Sequence, residues 1–142
     1  MRNRLAAAAL IIGAVMLLAA GDIRADEKAE KKAVAAAETW LALIDKGDIA
    51  KSWETSAALF RGAVTQEQWK QAVSGARGPL GKLISREPQS AEYVTSLPGA
   101  PDGEYVIIQF KTVFENKADA VETVTPMKDP DGEWRVSGYF IK

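Results

Sequence analysis

The chain has 142 residues, 18 basic and 19 acidic side chains, and neither histidine nor cysteine. Those two absences exclude Ser-His-Asp and Cys-His nucleophilic catalysis, zinc sites built on nitrogen and sulfur, disulfides, and a lipid anchor on cysteine. The near-neutral charge also argues against a nucleic-acid partner, which calls for a basic face.

The N-terminus reads MRNRLAAAALIIGAVMLLAAGDIRAD. Arg2 and Arg4 form a basic head, and Leu5 to Ala20 is an uncharged run of 16 residues. Small residues follow: Ile23-Arg24-Ala25 offers a cleavage site after Ala25, and Ala19-Ala20-Gly21 an earlier alternative. This is the anatomy of a secretory signal peptide. The run is shorter than the roughly 20 residues of a membrane span, so no stable span is expected after cleavage. The expected organisation is a signal peptide over residues 1–25 and one domain over 26–142, periplasmic or secreted. Removing the leader takes away three arginines and one aspartate, leaving 15 basic and 18 acidic residues, net −3. The 117 residues that remain are enough to bury a self-supporting core.

Helical spacing comes first. DEKAEKKAVAAAETWLALIDKG predicts a helix burying Val34, Ala37, Leu41 and Ile44 beside Trp40, with Gly47 ending it and Asp48 capping the next. IAKSWETSAALF predicts a second helix, with Ile49, Trp53, Ala57, Phe60 and Val64 as its apolar stripe. TQEQWKQAVSGAR predicts a third, in which Thr65 and Gln68 have capping-box spacing and Trp69, Ala72, Val73 and Ala76 form the buried face. The glycines of GPLG, Gly78 and Gly81, turn the chain out of the helical half. Trp40, Trp53 and Trp69 fall on the buried stripes, which makes them core residues rather than a sugar-stacking platform.

The period then changes to two. KLISREPQSAEYVTSL predicts one strand, or two divided at Pro88. EYVIIQFKTVFE, AVETVTPM and EWRVSGYFI predict three more. PDGE occurs at Pro101–Glu104 and again at Pro130–Glu133, and both copies are expected to be hairpin turns. Three helices followed by about four sequential antiparallel strands give an α+β class, with the helices covering one face of a curved sheet, similar in element order to the cone-shaped NTF2-like and cystatin-like folds.

Two loop segments imitate ligand motifs. GARGPLGK lacks the first glycine of a phosphate-binding loop, where Ala76 stands, and has Leu83 where Ser or Thr is needed. DPDGE lacks the ligand spacing of a calcium loop. No metal or cofactor is expected.

Glu122 is the residue that demands an explanation, a carboxylate within the β-branched run AVETVTP. Three readings compete: a solvated strand acid, an ion pair with Arg77, Arg86 or Lys117, or a ligand-binding or catalytic group. A partnerless acid inside a cone would have its pKa raised and could work with a tyrosine, Tyr93, Tyr105 or Tyr139, as an acid–base pair.

TWLALIDKGDIAKSWETSAALFRGAVTQEQWKQAV, RGPLGKLISRE, LPGAPDGEYVIIQF, FENKADAVETVTPM and WRVSGYFIK occur in that order. Together these blocks, spanning most of residues 33–142, resemble the exported bacterial family known as domain of unknown function 4019. Ile49 departs from it, standing where an aromatic residue is expected. The resemblance implies an exported single-domain protein and brings no activity. It places Arg77, Arg86, Lys117, Glu122 and Tyr139 among the family's positions, which favours a paired or ligand-binding Glu122 over a solvated one. The expected function is a non-enzymatic domain that binds a small molecule or a protein partner in the cell envelope. The alternatives are a lyase or isomerase using Glu122 with a tyrosine, and a structural assembly subunit, for instance a homodimer.

Overall fold

The computed structural model describes residues 2–142, with side chains from Arg24 onward. The expected leader therefore lies outside the described side chains, apart from Arg24 and Ala25. The elements are helices α1 (Arg2–Asp45), α2 (Ile49–Glu54), α3 (Ala58–Ala63) and α4 (Gln66–Arg77), a 3-10 turn (Gly78–Leu80), and strands β1 (Leu83–Val94), β2 (Tyr105–Phe114), β3 (Lys117–Lys128) and β4 (Trp134–Ile141). The strands form one antiparallel sheet in the order β1-β2-β3-β4, so the class is α+β, as the change of period predicts. Among the described residues no helix is long and apolar enough to cross a membrane.

α1 lays Ala33, Ala37, Trp40, Leu41 and Ile44 against the sheet, and all five are buried. Their spacing of three and four residues is what one helix face requires. Gly47 ends the helix at φ +83, with the Asp48 N–H donating to the Leu43 carbonyl at 2.8 Å. That closes the helix with a Schellman-type bond. Asp48 precedes α2, but its side chain makes no capping bond there, contrary to expectation. The capping box of α4 forms as predicted: the Gln68 N–H donates to Thr65 Oγ1 at 3.1 Å, and the Thr65 N–H to Gln68 Oε1 at 2.9 Å.

The expected second helix is divided in two at Thr55–Ala57. Tertiary hydrogen bonds override helical propensity here. The Ala57 N–H leaves the helical ladder and donates to the Val136 carbonyl of β4 at 2.8 Å. The Trp40 indole N–H donates to the Ser52 carbonyl at 2.8 Å, and the Trp69 indole N–H to Ser52 Oγ at 2.9 Å. Trp53 donates to the Val64 carbonyl at 2.9 Å. Trp40 and Trp69 lie in the core as predicted, while Trp53 is only half-buried against its edge, and the polar ends of all three also hold the helix breaks.

β1 is a single strand whose register shifts between Pro88 and Ser90, where proline cannot donate to the ladder. The two PDGE segments behave differently. Pro130–Glu133 makes the expected tight β3–β4 hairpin, with Gly132 at φ +86 and its N–H donating to the Asp129 carbonyl at 2.8 Å. The first copy instead ends a longer loop, in which Gly99 is the residue at positive φ. The Tyr105 hydroxyl donates to the Pro101 carbonyl at 2.7 Å and packs over Gly103. The β2–β3 turn at Glu115–Asn116 is held from below: the Asn116 N–H donates to the Leu80 carbonyl and the Glu115 N–H to the Lys82 carbonyl, each at 2.8 Å. The GPLG segment thus grips a hairpin as well as turning the chain.

Gly81, at φ 75 and ψ −157, occupies a region that side chains disfavour, and a Cβ there would lie 2.6 Å from Glu115 Oε1. Gly81→Ala should cost about 1–3 kcal/mol, measured as a lower urea midpoint with an unchanged slope.

Candidate functional site

The sheet register decides where Glu122 points. Residues 120, 122 and 124 of β3 alternate onto the helix-covered face, where Ala120, Glu122 and Val124 are all buried. Glu122 lies opposite Phe110 on β2 and Ile141 on β4. Thr112 is two residues beyond Phe110 and is itself opposite Arg86 on β1. Tyr139 is two residues before Ile141. Thr112 and Tyr139 therefore aim at the Glu122 carboxylate from diagonal positions on the neighbouring strands, and Arg86 reaches it across β2 from β1.

All three donate. Arg86 approaches with Nε 2.6 Å from Oε1 and Nη2 3.3 Å from Oε2. Thr112 Oγ1 donates to Oε1 at 2.7 Å. The Tyr139 hydroxyl donates to Oε2 in a short hydrogen bond. Glu122 is fully buried and accepts four hydrogen bonds, about the capacity of a carboxylate. The solvated reading of this acid is wrong, and the ion-pair reading, with Arg86 as partner, is right.

The network continues into the helical layer. Arg86 turns its other edge to Asp45 at the end of α1, with Nη1 2.7 Å from Oδ2 and Nη2 3.1 Å from Oδ1. Arg77, at the end of α4, donates from Nη2 to Asp45 Oδ1 at 2.9 Å. Its guanidinium lies 4.7 Å from the centroid of the Phe114 ring. Nε and Nη1 of Arg77 are buried without an acceptor among the described residues, and the π-face of Phe114 offsets part of that cost. Charges alternate along the row Glu122, Arg86, Asp45, Arg77, so each arginine is next to an acid.

Burial raises the Tyr139 hydroxyl well above its ordinary 10.0, and the neighbouring Glu122 carboxylate adds to the rise, with Arg77 opposing it. Tyr139 is therefore a fixed donor. Burial opposes ionisation of Arg86, but its bonds to Asp45 and Glu122 outweigh that and raise it further. Burial pushes the Asp45 carboxyl up, and Arg86 and Arg77 together more than reverse this, holding it below its ordinary 3.8.

Of the five expected site residues, Arg86, Glu122 and Tyr139 meet directly, and Arg77 joins through Asp45. Lys117 stays outside the network. It lies at the β2–β3 turn, with Nζ 3.4 Å from the exposed Asp119. Sequence reasoning missed Asp45 and Thr112. Thr112 had a signal, since a lone hydroxyl on the otherwise apolar row Val106, Ile108, Phe110 and Phe114 needs a buried partner. Asp45 had none, because an acid closing a helix reads as solvated.

Glu122 lines neither of two openings beside the network. The larger opening, about 970 Å³, lies between the ends of α1 and α4 and the start of β1, and mixes Lys46, Lys70, Arg77 and Lys82 with Asp45 and Glu115. A smaller cleft of about 410 Å³ separates α4 from the last residues of β4. Trp69, Ala72, Ala76, Leu80 and Ile141 line it, with Tyr139 connecting it to the charged network and Lys117 and Lys142 beside it.

Removing one partner of a buried pair strands the other, so Arg86→Met should destabilise the fold by about 3–5 kcal/mol by urea denaturation. Asp45 titrates lower when folded than unfolded, so its contribution is complete above its ordinary 3.8 and fades as pH falls through the lower folded value. The stability gap between wild type and Asp45→Asn should be constant above about pH 5 and close below about pH 4. Tyr139 has the opposite sign: its contribution is complete below its ordinary 10.0 and lost above it. Tyr139→Phe should flatten the alkaline limb of the stability curve.

Neither a curated protein nor a solved structure matches the chain. One family model does, described as "Protein of unknown function (DUF4019)", over residues 36–139. That span runs from the buried face of α1 to Tyr139 and so contains every member of the charged network, and the chain belongs to the DUF4019 family.

Proposed function

We propose that the chain is an exported, non-catalytic binding domain, and that its binding site is the cleft between α4 and the end of β4. The observation that carries this reading is the cleft itself. It is concave, its volume of about 410 Å³ lies in the range of ligand sites, and its lining is mostly apolar with few polar groups. The charged network supports the reading in two ways. It holds Tyr139 and the neighbouring strand end rigidly, which keeps the ordering cost of binding low. It also occupies Glu122 completely, so the lyase or isomerase reading loses its acid–base group. The structural-assembly reading has less in its favour, because the Ala57 N–H takes the Val136 carbonyl and leaves only a short stretch of the β4 edge open, too little for a continuous sheet between copies.

Export rests on the N-terminal pattern of basic head, apolar run and small residues. N-terminal sequencing of the protein recovered from the periplasm or medium should begin at Asp26. For the cleft, 1-anilinonaphthalene-8-sulfonate should bind wild type and quench the fluorescence of Trp69 in its wall. Ala76→Trp fills the cleft from an exposed position, so it should abolish that binding and leave the melting temperature within about 2 °C of wild type. Equal binding by the variant would move the site elsewhere.

A further inference from the structure

We infer that the cleft receives an extended peptide segment of a partner protein, which adds a fifth strand along the open edge of β4 at Tyr139 to Ile141. This rests on the cleft being the binding site. Lys142 and Val121 exchange both main-chain hydrogen bonds, at 2.9 and 3.0 Å. In an antiparallel ladder the residues between such pairs turn their N–H and C=O groups away from the partner strand. Phe140, opposite Thr123, thus faces β3, and Tyr139 and Ile141 face outward. β4 is an edge strand, so the outward groups meet no further strand. Among the described residues, no hydrogen bond from outside the sheet reaches the main chain of Tyr139 or Ile141. Further up the same edge the Val136 carbonyl is already taken by Ala57. The open stretch is therefore short and bounded, with two donors and two acceptors.

A small apolar ligand would fill the cleft without pairing those four edge groups. An added strand satisfies them, and every second side chain points to the floor formed by Trp69, Ala72, Ala76 and Leu80. Ala72 and Ala76, one helical turn apart on α4, leave the room such side chains need. The intervening side chains cover Phe140, which is 58% exposed. Lys117 and Lys142 beside the cleft favour an acidic residue in the segment, although Asp119 at 3.4 Å from Lys117 weakens that preference.

The test uses the full mature domain and a random octapeptide library displayed on phage, counter-selected against Ala76→Trp. Enriched peptides should alternate apolar with polar residues. Synthetic versions are then N-methylated at alternate amides, which removes donors without changing side chains. Methylation in one register should weaken binding at least tenfold, and in the other by less than twofold. Failure to enrich any peptide, or equal sensitivity in both registers, overturns strand addition, and dye binding in the cleft can still stand. Peptides that bind Ala76→Trp as well as wild type overturn the cleft itself. A concentration-dependent dimer broken by Ala76→Trp in sedimentation would make the occupant a second copy and overturn the partner assignment.

Discussion

A carboxylate with no exposure to water must be answered by donors, and the rest of this structure is arranged around doing so for Glu122. β1 supplies the arginine, β2 the threonine and β4 the tyrosine, so a single acid on β3 is bonded to all three other strands. Arg86 then carries the link through Asp45 into α1 and α4. No pair in this chain could be shifted by one residue without leaving a buried charge unanswered. The network therefore specifies register and helix placement more than it adds net stability, since well-packed apolar residues can match a buried ion pair in free energy.

A second polar cluster does the same work in the helical layer. Ser52 and Ser56 are fully buried, and the indole N–H groups of Trp40 and Trp69 converge on them. The Trp40 and Trp69 rings lie 5.7 Å apart, and Tyr139 meets Trp40 edge-on at 5.4 Å. Tyr139 thus belongs to both clusters: its ring packs with the tryptophans and its hydroxyl completes Glu122. The cleft begins at the residue where these two constraints meet, so ring packing and a hydrogen bond both fix that part of its wall.

How much of this was legible in the sequence follows from the range of each interaction. The face of α1, the capping box and the strands of the meander are set by neighbours within a few residues, and the periodicities displayed them; on α4 the same spacing found Trp69 and Val73 but also marked Ala72 and Ala76 as buried, and both are exposed because the cleft opens over them. The division at Thr55–Ala57 was not legible, because its cause is a hydrogen bond from Ala57 to Val136, far along the chain. The two PDGE segments share a sequence and differ in turn, and the Tyr105 hydroxyl, bonded to the Pro101 carbonyl, acts on only one of them. For Glu122 the residue types limited the answer to a few partners, and the family resemblance narrowed it further.

Chemistry excluded by missing residue types, the α+β class, the turn glycines and the apolar faces were determined by the sequence alone, since each depends on composition or on local spacing. The tertiary structure decided which of several arginines meets Glu122, drew Asp45 into the network and left Lys117 outside it. It also opened a cleft beside Tyr139. These outcomes depend on strand register and helix placement, which bring together side chains tens of residues apart, and a one-residue slip would have exchanged the buried and exposed faces.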